Sequence, residues 1–196
     1  TWFSWWLEKL NQRIIIIDEG KSVSSSRIAS GVINPVTGRV LAKTWMAEQL
    51  LPFSLETYNE LAQMLGIQCI RTVDIFHSFP TAQMRASFEK KLPELPEYLR
   101  RADPHSNLSD LLDSPFGMGI IHPALLIDLN LMLNKWKEYL QQQQRLLEEK
   151  LDATQIHFED GKVRYNDITA EKIIFCDGVG SLDLPWFNRL PFTPNK

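Results

Sequence analysis

Asp18 and Glu19 follow directly on Ile14-Ile15-Ile16-Ile17. A carboxylate at the end of a buried strand can accept two hydroxyl donors, one on each oxygen, as dinucleotide-binding folds do with an adenosine ribose. Taken alone, Asp18 reads first as a solvated acid at a strand end. Ser26, Arg27, Ala29, Ser30 and Gly31 come next, small side chains around one guanidinium. Arg27 and Arg39 suit a phosphate or a carboxylate, because a guanidinium offers paired donors to a bidentate anion; solvated loop arginines are the ordinary alternative. His122, just before Pro123, reads as facing a pocket or, more commonly, as a satisfied structural residue. His77, His105 and His157 show no spacing that would assemble a metal site, and no Ser-His-Asp or paired-carboxylate arrangement stands out. Cys69 and Cys176 read as two buried, reduced thiols.

The elements that must position these residues alternate between helix and strand. Residues 2 to 10 carry apolar side chains as a packed helix does, and Asn11 tolerates the left-handed conformation at its end. Ile14 to Ile17 reads as a strand buried on both faces, hence part of a parallel sheet. Lys21 to Lys43 is polar and turn-rich without clear periodicity, the mark of a functional loop. A helix is predicted from about Trp45 to Leu65, with Pro52 marking a kink or restart. Strand Cys69 to Phe76 and helix Ala82 to Leu92 follow, then proline-rich polar sequence to about Ser114. Gly117 to Ile121 is predicted as a strand, and Pro123 as the first turn of a helix running through Tyr139. Thr154 to Phe158 and Val163 to Tyr165 flank Asp160-Gly161, a hairpin turn signal. Lys172 to Cys176 reads as a further apolar strand ending at Asp177-Gly178. The fold class expected is α/β with an α+β insertion.

The 196 residues, 44% hydrophobic and 23% charged, suffice for one domain or two small ones. Lys and Arg number 21 against 24 Asp and Glu, a formal net charge of -3, so no basic surplus announces a nucleic-acid surface. The apolar opening Thr1 to Leu7 is too short for a membrane span and lacks a secretory leader's charged start. The chain reads as soluble and cytoplasmic, with no membrane partner.

Trp2 to Gly20, followed by Ser25-Ser26-Arg27-Ile28-Ala29-Ser30-Gly31-Val32-Ile33-Asn34-Pro35, resembles the N-terminal region of the D-amino acid oxidase and glycine oxidase family of flavoproteins. Gly119-Ile120-Ile121-His122-Pro123 before a long helix, and Ile168 through Ser181, are similar to later segments of the same family. The resemblance implies a partial Rossmann-like FAD-binding domain, residues 1–45 and 145–196, interrupted by a mainly substrate-domain insertion with connecting helices, residues 46–144. It implies FAD as cofactor. Asp18 would meet the ribose, with Glu19 as neighbour or substitute; Ser26, Arg27, Ala29, Ser30 and Gly31 would lie along the flavin. The backbone of Leu151 would meet adenine, and Gly178 would let the later strand approach the dinucleotide. Trp2, Trp5 and Trp6 depart from the small residues usual in that helix, and Cys176-Asp177 stand where alanine is commoner.

The activity implied is FAD-dependent oxidation of a C–N bond in an amino acid or N-substituted glycine, with the flavin accepting hydride and no obligate protein base. A tRNA-modifying oxidase is the related alternative, and a non-catalytic fragment or interaction domain a separate one. A nicotinamide-dependent dehydrogenase fits the Ser-Ala-Gly loop less well. The resemblance also implies a chain truncated at both ends: a Gly-x-Gly-x-x-Gly just before Thr1, and an approach to a further strand at Pro185 to Lys196. Such a piece is expected to be inactive alone, to hold FAD poorly, and to self-associate through apolar faces around Ile14–Ile17 and Ile173–Phe175.

Overall fold

The computed structural model describes residues 1–103 and 114–191. Most of the proline-rich polar stretch, His105 included, and the last residues of the chain lie outside them. The fold is mixed α and β, in two compact units: Thr1–Ile16 with Lys21–Leu146, and Ile17–Gly20 with Leu147–Lys196.

The first unit opens with helix α1 (Trp2–Lys9), closed by Asn11 at φ 54°. Strand β1 (Ile16–Ile17) follows, then the single helical turn α2 (Ser25–Ile28) and strand β2 (Val32–Ile33). β3 (Val36–Thr37) and β4 (Ala42–Lys43) form a small hairpin. The turn-rich stretch read as a functional loop thus contains short elements, held where Pro35, Val36 and Leu41 bury themselves between polar neighbours. Helix α3 (Ala47–Leu65) runs through Pro52 and ends on Gly66, whose φ of 65° suits a residue without a Cβ. β5 (Ile70–Ser78) leads to α4 (Ala82–Lys91), whose start is capped by the Thr81 hydroxyl accepting from the Met84 amide at 3.2 Å. β6 (Leu99–Arg101) and β7 (Met118–Ile127) complete the main sheet before α5 (Leu129–Gln142).

β7 corrects the sequence reading. The apolar run carries the strand through Pro123 to Ile127, and the helix starts six residues later than expected. Asp128 supplies the start signal, its carboxylate accepting the Leu131 amide at 2.9 Å. Burial of Ala124, Leu125 and Ile127 in the sheet overrides the local preference of proline for a helix start.

β7 is the central strand, with antiparallel partners β2, β5 and β6. Directly opposed residues share a face. The inner face carries Ile33, Ile70, Ile75, Leu99, Ile121, Leu125 and Ile127 against Leu51 of α3 and Phe88 of α4. A second cluster joins Trp5 of α1, Leu61 and Ala62 of α3, Cys69, and Met132, Trp136 and Leu140 of α5. Each large apolar side chain so buried contributes roughly 1.5–3 kcal/mol relative to exposure. Its polar atoms are matched: the Trp136 indole N–H donates to the Ser4 hydroxyl at 3.0 Å, and Glu8 accepts from Tyr139 and Arg145, both at 2.6 Å.

In the second unit, β8 (Leu146–Leu147), reached as the chain leaves the first, precedes a three-stranded meander: β9 (Ile156–Glu159), β10 (Lys162–Tyr165) and β11 (Ile168–Ala170). Asp160 and Gly161 turn β9 into β10 with φ 52° and 72°, the double left-handed conformation of a type I′ hairpin. Ile156, Val163 and Tyr165 form its buried core, with Ile17, Leu151, Ala170, Ile173 and Phe175 packed against it.

The two isoleucine-rich runs differ from their expected form. Ile14 and Ile15 precede the strand, and Ile15 is exposed. β1 pairs with β8: Ile16 N–H donates to Arg145 O at 2.8 Å, and Asp18 N–H to Leu147 O at 3.0 Å. Both partners advance in the same sense, a parallel ladder. Lys172 to Cys176 forms no strand; Ile173 and Phe175 pack inward while Ile174 and Cys176 are exposed, so one face only is buried. Cys176 is thus an exposed thiol, contrary to the expectation for both cysteines, whereas Cys69 is buried.

Candidate functional site

The residues expected to border a cofactor divide between the units. In the first, Ser26 and Arg27 sit on α2, while Ala29, Ser30 and Gly31 connect it to β2. This loop is pinned from below. The Arg27 guanidinium donates to the Asn134 side chain of α5 at 2.8 Å, and Gly31 O accepts from Ile127 N–H at 2.8 Å. Gly31 has φ +70°, and a Cβ there would lie 2.1 Å from the Ile127 carbonyl oxygen. Glycine is therefore demanded by the sheet beneath the loop. Above, the loop is uncovered: Ser26, Ala29 and Ser30 are exposed and Ile28 is 74% exposed. Among the described residues, the Ser26 and Ser30 hydroxyls have no hydrogen-bond partner. Arg27 is committed to α5; Arg39 is exposed in the β3–β4 connection.

In the second unit, Asp18 follows β1 and is exposed, one carboxylate oxygen accepting the Gly20 amide at 2.7 Å. Its other oxygen has no partner among the described residues. Glu19 is exposed beside it. Leu151 packs on the same small core as Ile17, so its side chain serves packing and only its backbone remains for recognition. Gly178 has φ +59°, a conformation that favours glycine, and no protein atom lies within 4 Å of where a Cβ would stand.

His122 lies within β7, its Nδ1 2.5 Å from Asp74 Oδ1 on β5. The register shifts between Val73 and Ile75: His122 and Pro123 of β7 stand opposite the single Asp74 of β5, so the extra residue is on β7. Arg100 of β6 reaches the same oxygen at 3.8 Å. Sequence reading does not single out these partners; the available signal is the single acid of β5, set between Val73 and Ile75. His77 faces inward, between the Phe79 and Phe88 rings, and burial lowers its pKa. A cleft of about 550 Å³ lined by Asn59, Gln63, Gln68 and Cys69 includes none of these candidate residues. Among the described residues no group of three His, Cys, Asp or Glu could hold a metal ion, and no helix is long and apolar enough to cross a membrane.

No family model matches the chain, and no solved structure matches it significantly.

Proposed function

We propose that this chain belongs to an FAD-dependent oxidoreductase acting on the C–N bond of an amino acid or N-substituted glycine, with Rossmann-like cofactor binding. The observation that carries the reading is the Ser26–Gly31 loop: the small, exposed Ser26, Ala29 and Ser30, hydroxyls with no partner among the described residues, and an attachment from beneath through Arg27 and Gly31. An exposed loop with no ligand role has little need of such anchoring. Ser26 and Ser30 would hydrogen-bond the cofactor and the small side chain of Ala29 would admit it closely, with Gly31 holding the loop down on the sheet. In the second unit, the unengaged oxygen of Asp18 suits a ribose hydroxyl. Bound FAD would supply a hydride acceptor, while these residues would bind and orient it.

The test is a visible spectrum of the full-length gene product, before and after adding FAD, followed by anaerobic addition of N-methylglycine and a panel of D-amino acids. Flavin absorbance that one of these amines bleaches supports the reading. A colourless protein that cannot be reconstituted refutes it.

An interaction domain is the second reading, favoured by a different observation. Trp6 stacks on Phe53 at 6.4 Å, Phe3 on α1 and Leu10 just after it are exposed, and Trp45 is 78% exposed. Apolar surface on this scale marks association in many soluble proteins. Light scattering over a range of protein concentrations tests it: rising mass supports it, and constant monomer mass refutes it.

A further inference from the structure

β5 is an edge of the main sheet, and the hydrogen bonds of β7 decide which of its backbone groups are left over. Ile127 N–H donates to Gly31 O and His122 N–H to Tyr98 O, so these residues aim their backbone away from β5. In an antiparallel ladder that aim alternates from residue to residue. Leu126, Ala124, Ile121 and Gly119 therefore face β5, where they stand opposite Arg71, Val73, Ile75 and His77. The Cys69 carbonyl, which accepts the Asp128 N–H, keeps the same phase. Ile70, Thr72 and Phe76 thus aim N–H and C=O out of the sheet, and these groups have no partner among the described residues. Natural edges are commonly kept short or guarded by proline or lysine; β5 runs nine residues with neither.

The cleft of about 550 Å³ adjoins the start of this edge, between Asn59, Ala62 and Gln63 of α3 and the segment Ile67 to Ile70. Carboxamides line it, and no charged side chain does. We propose that the Ile70–Thr72 edge and this cleft form a docking site for an extended segment of a partner protein, which adds to β5 as an antiparallel strand. The edge itself specifies that occupant. An extended backbone repeats a donor and an acceptor every second residue, about 7 Å, which is the repeat of the groups at Ile70 and Thr72.

The flanking side chains specify the segment further, because directly opposed residues share a face. Ile70 lies on the inner side, so the residue opposite it meets the cleft. Asn59, Gln63 and Gln68 each offer both a donor and an acceptor, which suits an uncharged polar side chain such as glutamine. A charged side chain would lose water there without gaining a counter-charge. Arg71, opposite Leu126 on the outer side, is exposed and has no ion-pair partner among the described residues. The residue facing it is therefore acidic. Nothing in this site depends on flavin binding.

The experiment is amide hydrogen exchange of the chain, read by NMR, with the acetylated and amidated peptide Val-Thr-Glu-Gln-Val as probe. In the free chain Ile70, Thr72 and Phe76 should exchange fast, and Arg71, Val73, Ile75 and His77 slowly. Saturating peptide should slow Ile70 and Thr72 about tenfold or more. N-methylation of the peptide's Thr and Gln amides, which face the edge, should weaken binding about tenfold or more, whereas N-methylation of its Glu amide should change binding less than about twofold. Arg71→Glu should weaken the peptide about tenfold and prefer a version with Lys in place of Glu, which separates lost recognition from lost folding. Equal binding of the differently methylated peptides, or no slowing at Thr72, would overturn the proposal. Slow exchange at Ile70 and Thr72 without peptide would overturn it too. Slowing that grows with protein concentration would give the edge to a second copy, and slowing independent of concentration would give it to a segment of the same chain.

Discussion

The two faces of the main sheet are made from the same strands, often from adjacent residues, yet they obey different rules. Ile121 and Leu125 point into a core closed by α3 and α4; Ile120, His122 and Leu126 point the other way, onto a face where Asp74, Phe76 and Arg100 are exposed. The buried cluster on the inner face is apolar and aromatic, and Phe88 is 1% exposed. On the outer face Phe76 is 38% exposed and shares the surface with an Asp–His pair and two arginines. The difference separates what the fold needs from what it leaves available. Apolar closure stabilises the inner face, whereas ion pairs open to water on the opposite face contribute little to stability.

Substitutions should divide along that line. The largest effect is expected for Phe88→Ala, which empties the centre of the inner face: about 3–5 kcal/mol by urea unfolding. Phe76→Ala, an equal truncation outside, should cost less than about 1 kcal/mol. Comparable losses from the two would erase the distinction.

Gly119→Ala comes next. The new Cβ would lie 2.2 Å from the Phe88 ring, itself held by Phe79 and His77, so the ring has little freedom to retreat. Overpacking of this kind costs typically about 1–3 kcal/mol. A neutral Gly119→Ala would show that the inner face is less tightly packed than its burial implies.

His77 gives a smaller, pH-dependent effect. Burial lowers its pKa below the ordinary 6.5, so the unfolded chain takes up a proton more readily than the folded one. Its contribution to stability is therefore complete above 6.5 and declines as pH falls through that value. His77→Phe should flatten the thermal-stability profile across this window. An unaltered acid slope would assign it to other groups.

The smallest effect belongs to the outer pair. Asp74→Asn should change stability by less than about 1 kcal/mol, because ion pairs open to water are worth little. A loss approaching that of Phe88→Ala would make the pair a structural element.

Features fixed by local chemistry were legible in the sequence. Asn11 ending α1, Asp160-Gly161 turning β9 into β10, and the helix from Ala82 each follow from rules spanning a few residues. Features decided by distant partners were not. Pro123 looks like a helix start until β2, β5 and β6 are known to flank it. Ile173 and Phe175 look like a two-faced strand, but the small meander offers only one side to pack against. Within the candidate loop, the small residues could be read directly, whereas the contact that demands Gly31 comes from a carbonyl near the far end of β7. The Asp74–His122 pair joins residues 48 apart and depends on a strand irregularity that no local pattern announces.

Cofactor binding at the Ser26–Gly31 loop is the central claim, and a double substitution tests it most directly. In the full-length gene product, Ser26→Ala with Ser30→Ala removes the two unused hydroxyls without touching the loop's anchors, Arg27 and Gly31. Titration of the apo-protein with FAD, followed by flavin fluorescence, should show a wild-type complex weakened roughly ten- to a hundredfold by the double change, with thermal stability of the apo-protein unaltered. Failure of the wild-type protein to bind FAD at all, or identical affinity in the two proteins, would contradict the account.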